Sequence, residues 1–389
     1  MTGPAYPAAR AAAVRVHPHF SAHAARRPFG QEHSLDGAIV ATIHNGPVPD
    51  IETIQAIVDV AFWASLKREE IYTPRISLAF VGPEDVDQPL TFERPVPLAS
   101  LALTRLGPAV ERPGLHLGVY PRDGELSVWG ATHNLPAACF VLEVVAPGLL
   151  VIKHSRGGDS GKFVNVAVLE GEQIKIVDQQ AATVPDCPAL LTSLLGLESQ
   201  FASPDSVNVL IQLAVSIRAH GRGGSLLVVP SGTSRWQESF LQPITYAVAP
   251  PFSSLADLVR EHPGSRPDRR WQEALSRSVA GMAGLTAVDG ATIISDQYEL
   301  HAFGAKIIRR KGFEQVAQVI VTEPIEGAAA AIVEPAQLGG TRHLSAAQFT
   351  HDQRDAIALV ASQDGRFTVF AWSPCEKMVH AHRIETLLL

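Results

Sequence analysis

Ser203–Pro230, SPDSVNVLIQLAVSIRAHGRGGSLLVVP, decides the class of the C-terminal half. Ser203 is a hydroxyl cap, Pro204 stands where a first helical turn needs no amide donor, and Asp205 complements the positive end of the helix dipole. Val209, Leu210, Leu213, Val215 and Ile217 then form an apolar stripe, predicting a helix that stops near Gly221. Ser225–Pro230 follows as a short apolar strand. The same alternation continues downstream. A second short helix is predicted after Ser253-Ser254, and a third after Asp268, with Trp271, Leu275, Val279 and Met282 on one side. Strands are read at Ala287–Ser295 and Glu299–Phe303. Asp355–Ser362 and Arg366–Trp372 form a hairpin around Asp364-Gly365. Helix and strand in alternation predict an α/β class, with a mixed sheet flanked by helices over about 205–389.

Upstream the rhythm is strand-rich. Ile54, Ile57, Val58, Ala61, Phe62 and Leu66 share one face of a predicted helix over Ile51–Glu70. Extended runs follow at Ile76–Val81, Leu115–Tyr120, Leu126–Trp129, Phe140–Val145, Leu149–Lys153, Phe163–Leu169 and Ile174–Val177, separated by turn clusters. Residues 31–200 therefore read as an α+β domain. Met1–Gly30 contains Arg10, Arg15, Arg26 and Arg27, many alanines and no acid. It is similar to an organelle transit peptide in composition, but the reading preferred is a flexible N-terminal arm.

Composition narrows the function classes. The chain has 389 residues, 46% hydrophobic and 18% charged, a folded protein's balance that excludes wholesale disorder. Thirty-two basic against 39 acidic residues give −7, which argues against nucleic acid as a partner. Apolar runs break well before a membrane-spanning length; the greasiest, Phe140–Ile152, contains Glu143, Pro147 and Gly148. No membrane partner is expected. Cys139, Cys187 and Cys375 form neither a disulfide framework nor a zinc motif, so the expected location is cytoplasmic.

Several motifs have plain readings. Arg156-Gly157-Gly158-Asp159-Ser160-Gly161-Lys162 fails as a phosphate loop, lacking the first glycine and a hydroxyl after Lys162. As a nucleophile, Ser160 has no assigned His and acid partners. A hairpin turn remains. His17, His19 and His23 have no carboxylate or cysteine nearby and read as solvated tail histidines; His380 and His382, lacking a third ligand, are also assigned to a tail. Two places are chemically richer. In Asp289-Gly290-Ala291 a carboxylate stands beside a glycine that permits close backbone approach, suiting a divalent ion or a proton acceptor. Its plain reading is a turn into a strand. In Gly339-Gly340-Thr341-Arg342-His343-Leu344-Ser345-Ala346-Ala347 a free backbone, two hydroxyls and two basic side chains precede a predicted helix over Ser345–Phe349. This combination suits a triphosphate; its plain reading is a capped helix start. Asp364 is by default a turn residue.

Asp289-Gly290-Ala291, then Gly340-Thr341-Arg342-His343 with Ser345-Ala346-Ala347, then Ser362-Gln363-Asp364-Gly365, taken in this order, resemble the diadenylate cyclase (DAC) domain of cyclic di-AMP synthases. The resemblance covers roughly Ser206–Trp372, with Gly224–Val229 as the first core strand. The N-terminal half resembles the sensor-type domains that precede some DAC domains. The resemblance implies a metal-dependent nucleotidyltransferase that condenses two ATP into cyclic di-AMP, under N-terminal regulation. It assigns Asp289 to catalysis and to Mg²⁺ or Mn²⁺, and Asp364 to the same ion. ATP would be held by Gly290, Ala291, Gly340, Thr341, Arg342, His343 and Ser345. One site holds one ATP, so the implied partner is a second copy of the chain, face to face. Leu344 stands where the family has a second arginine, and Gln363-Asp364 replaces a Glu-Glu pair. These departures motivate an alternative: a nucleotide-binding sensor without turnover. A third possibility is a scaffold that binds partners through the N-terminal sheet.

Overall fold

The computed structural model describes residues 5–25, 45–67, 75–112, 114–156, 163–178, 208–261 and 268–389. Expectations for Ser203–Asp205 and for the turn at 157–162 fall outside them. Among the described residues are seven α-helices and two mixed sheets, in two compact units: Met1–Val177 with the terminal Leu389, and Asp178–Leu388.

In the first unit, α1 (Ala8–Ala25), α2 (Ile51–Ser65) and α3 (Ser100–Leu106) accompany eight strands. These are β1 (Ile76–Phe80), β2 (Leu90–Pro97), β3 (His116–Arg122), β4 (Glu125–Thr132), β5 (Phe140–Ala146), β6 (Leu149–Ser155), β7 (Phe163–Glu170) and β8 (Gln173–Ile176). Their order in the sheet is β2-β4-β3-β1-β5-β6-β7-β8. Asp50 caps α2 by accepting from the Thr53 amide at 2.8 Å. Four members of the predicted stripe, Ile54, Ile57, Val58 and Ala61, are fully buried against Leu78, Leu117, Leu142 and Leu150 of the sheet; Phe62 is partly buried on the same core, and Leu66, the C-cap residue, is instead 46% exposed because the helix ends there. A smaller cluster on the opposite face contains Ala79, Val81, Trp129 and Val141. β2 was not expected. It is an edge strand containing Pro95 and Pro97, a position that tolerates missing amide donors and shows no apolar alternation.

The flexible arm expected over residues 1–30 is contradicted across α1. Ala12, Ala13 and Val16 are fully buried and Phe20 nearly so, at helical spacing, within the core cluster that includes α2. Small alanines allow close approach, a packing signal easily mistaken for a low-complexity leader.

The second unit contains α4 (Val209–Ala219), α5 (Ser254–Arg260), α6 (Arg269–Leu285) and α7 (Thr341–Asp352). Its strands are β9 (Gly224–Val229), β10 (Tyr246–Phe252), β11 (Ala291–Ser295), β12 (Leu300–Ala305), β13 (Val319–Thr322), β14 (Ala331–Val333), β15 (Ile357–Ala361), β16 (Phe367–Ser373) and β17 (Met378–Arg383). The sheet runs β10-β12-β11-β9-β15-β16-β17-β13-β14. Every residue of β9 is buried, because both faces are covered. Leu226 and Val228 meet Leu213, Ile217, Leu275 and Val279 of α4 and α6. Leu227 and Val229 share a core with Ala346, Ala347 and Phe349 of α7. This is a three-layer arrangement of helices on both faces of one sheet. Asn208 caps α4, accepting from the Ile211 amide at 3.1 Å.

The tail assigned to His380 and His382 is corrected as well. Both lie on buried β17, 5% and 2% exposed, paired with β16 and β13. His382 Nδ1 and Thr322 Oγ1 are 2.7 Å apart, and burial drives this imidazole down to about 3, so it folds neutral.

Candidate functional site

β9 positions the candidate site, because its two neighbours bring in the other two motifs. β11 runs parallel to β9, with Ala291 opposite Ser225, and β15 runs antiparallel, with Ala361 opposite Gly224. The start of β9, the start of β11 and the end of β15 therefore share one end of the sheet. Adjacent strands lie ~4.8 Å apart. Asp289 and Gly290 precede β11, and Ser362–Asp364 follow β15.

Asp289 is exposed, three residues after Thr286, the C-cap of α6. Thr286 is held against Gly224: a β-carbon there would lie 2.6 Å from both the Thr286 carbonyl and Oγ1. Gly290 has φ +107°, and a β-carbon would meet the Gly304 backbone at 2.6 Å. Its glycine is thus required by the close passage of β12. Ala291 is the buried first residue of β11.

The basic motif is already helical. Gly340 is the N-cap of α7, and Thr341, Arg342 and His343 form its first turn, not a loop preceding a helix at Ser345. That turn lies at the positive end of the helix dipole, with the His343 amide donating to the Gly340 carbonyl at 3.0 Å. Thr341 is exposed, and Arg342 and Ser345 are partly buried. Arg342 reaches back to β9: a β-carbon on Gly223 would be 2.8 Å from its Nη1. His343 turns inward, 3% exposed, with its ring edge-on to Phe370 and its Nε2 unpartnered. Burial lowers its pKa, with Asp364 opposing and Arg366, Arg383 and Arg342 reinforcing. Leu344 is 40% exposed on the solvent side of the turn.

Asp364 is committed within its hairpin. Ser362 Oγ donates to Oδ1, and Arg366 Nε lies 3.4 Å from Oδ2. The Ser362 hydrogen bond, followed by the Arg366 interactions, holds this carboxyl below the usual range. Gly365 accepts from Arg218 Nε at 3.1 Å. Gln363 Nε2 lies 3.5 Å from the Arg222 carbonyl.

The structure therefore brings Arg342, His343 and Asp364 to one sheet end with Asp289, around Gly223-Gly224. It adds Arg218, Arg222, Arg366 and Arg383, cations that sequence reasoning missed. Arg366 follows the Asp364-Gly365 turn, which was its available signal; Arg218 and Arg383 arrive only through topology. Two carboxylates are the right donors for a hard divalent ion. Asp289 is open to one; Asp364 would first have to yield its contact with Arg366.

No helix among the described residues is long and apolar enough to cross a membrane. No curated protein matches the chain. A solved structure described as a hypothetical membrane-spanning protein from Bacillus cereus matches over 49% of this chain and 71% of its own. The identity is 14% and the TM-score 0.27. Residues 44–133, from the approach to α2 through β4, match the family model described as Probable sensor domain DACNV, the N-terminal sensor domain of DAC proteins.

Proposed function

We propose that the chain is a diadenylate cyclase: an N-terminal sensor domain followed by a nucleotidyltransferase unit that joins two ATP into cyclic di-AMP and releases two pyrophosphates. The observation that carries this reading is the arrival of Arg342 at Gly223, on the sheet end that Asp289 also occupies. The DACNV match over residues 44–133 supports it independently.

The chemistry asks for little covalent participation by the protein. A ribose 3′-hydroxyl attacks an α-phosphorus, and pyrophosphate leaves in line. Asp289 would hold Mg²⁺ or Mn²⁺, with Asp364 as a second ligand; the ion supplies charge neutralisation and a more acidic hydroxyl. Asp289 would also accept that proton. Arg342 and the first amides of α7 would meet charge developing on phosphate, where loss of one donor typically costs ~10²–10³ in rate. Gly340, Thr341 and Ser345 frame the same turn. With Leu344 unable to contribute charge, Arg222 and Arg366 at the same sheet end would have to supply it. Each chain holds one ATP, so cyclisation requires two sites facing each other in a homo-oligomer.

Purified chain incubated with ATP and Mn²⁺ or Mg²⁺ should yield cyclic di-AMP, and Asp289→Asn should abolish it while preserving the fold. Equal product from both proteins would refute the catalytic role of Asp289. The alternative, a nucleotide-binding sensor without turnover, is favoured by Asp364 being occupied by Arg366 and by the burial of His343. Saturable ATP binding with no product under either metal would select it.

A further inference from the structure

α1 and β6 meet at a cluster of histidines that the nucleotide reading does not use. Along β6, Leu150, Ile152 and His154 alternate onto the face covered by the helices, and His154 is 8% exposed. Its cross-strand partner is Phe140, and Phe20 of α1 packs on Phe140 with ring centroids 5.2 Å apart. That contact sets the helix over the strand and delivers the residues flanking Phe20. His19 and His23 stand four residues apart on α1, so they share one face. Ring centroids are 4.2 Å apart for His19–His23, 4.9 Å for His19–His154 and 4.7 Å for His23–His154. One nitrogen from each ring lies within 4.8 Å of the other two.

We propose that His19, His23 and His154 bind one late first-row divalent cation, Zn²⁺ foremost, leaving a fourth position open to water or an incoming ligand. Three features carry the assignment. First, His19 Nε2 and His154 Nδ1 approach to 2.7 Å, a distance at which one proton is shared between two lone pairs. A cation can replace that proton. With metal–nitrogen bonds of ~2.0–2.1 Å, tetrahedral ligands stand roughly 3.3 Å apart, a small opening from 2.7 Å and inside the 4.8 Å that spans the three nitrogens. Second, His23 Nδ1 lies 2.9 Å from the His19 carbonyl. This acceptor holds the proton on Nδ1 and leaves the Nε2 lone pair for a metal, the outer hydrogen bond that ligating histidines generally make. Third, the donor set is three imidazoles with no carboxylate, which suits zinc, copper or nickel and disfavours magnesium and calcium. The site is therefore chemically distinct from the hard-ion site at Asp289.

The full chain, free of any affinity tag and stripped with EDTA, is titrated with Zn²⁺ against a chromophoric chelator, and with Co²⁺ by visible absorption. One equivalent of Zn²⁺ is expected, with intense tetrahedral Co²⁺ bands. His19→Ala and His23→Gln should each weaken binding at least ~10-fold, whereas His17→Ala leaves it unchanged. His23 lies near the end of α1, so His23→Gln decides the matter even if His19→Ala unfolds the helix, which circular dichroism would show. Absence of a saturable equivalent, or equal binding by wild type and His23→Gln, overturns the proposal. Neither result bears on cyclic di-AMP synthesis.

Discussion

Gly223→Ala separates the role of Arg342 from that of the backbone around it. Gly223 has φ +68°, a conformation costing an L-residue about 1–2 kcal/mol. A new β-carbon would also lie 2.8 Å from Arg342 Nη1, 3.1 Å from the Ala361 carbonyl and 3.4 Å from Gln363 Cγ. The carbonyl belongs to β15 and cannot retreat; the guanidinium can. Crowding adds about 1–3 kcal/mol and is relieved by expelling Arg342 from the sheet end. Gly221→Ala is the internal control, because φ is +66° there and nothing lies within 4 Å of the added carbon. Both variants should melt lower, at about 2–4 °C per kcal/mol for a unit of this size, with Gly223→Ala the lower. Calorimetry with ATP should divide them. Gly221→Ala binds as wild type, whereas Gly223→Ala loses a charge-assisted hydrogen bond of about 1.5–3 kcal/mol, or roughly 10- to 100-fold in affinity. Adding Arg342→Gln to Gly223→Ala should cost nothing more, since both changes remove the same contact. Equal ATP affinity in the two glycine variants would refute the reasoning.

Phe20→Ala tests whether α1 belongs to the core: removing a nearly fully buried phenylalanine should cost about 3–5 kcal/mol in urea unfolding, and a loss below 1 kcal/mol would return the segment to a dispensable arm. His116 supplies a pH test. Burial, the largest cause, lowers its pKa to about 4, against ~6.5 unfolded. Below pH 6.5 the unfolded chain takes up a proton that the folded chain refuses, so stability falls about 1.4 kcal/mol per pH unit, reaching about 3 kcal/mol near pH 4. Above pH 6.5 the group contributes no slope. The stability difference between wild type and His116→Gln should therefore change steeply between pH 6.5 and 4.5; a flat difference would remove His116 as the cause.

Much of the architecture was readable because local periodicity has a local cause. The stripe of α2, the Asp268 cap of α6 and the Asp364-Gly365 hairpin each occupy a few consecutive residues. Elements that escaped the reading are those whose signal lies elsewhere. β2 and β10 contain prolines and lie at sheet edges; β13 and β14 are three or four residues long and gain identity only from the strands beside them. α1 has no acidic residue in its first turn, so its alanines read as low complexity until a core was found against them.

From the sequence alone came the residue types of the candidate site, their order along the chain and the mixed α/β class, because spacing and chemistry are properties of short segments. Their meeting was decided by tertiary structure: parallel β11 and antiparallel β15 flank β9, so Asp289, Arg342 and Asp364 share one sheet end despite intervals of 53 and 22 residues. The histidine cluster makes the same point more sharply. His17, His19 and His23 read as solvated tail histidines because no carboxylate or cysteine stands near them in the chain, and His154 lies 135 residues beyond His19. Only the packing of Phe20 on Phe140, a contact between helix and strand that no local pattern encodes, brings the three rings together.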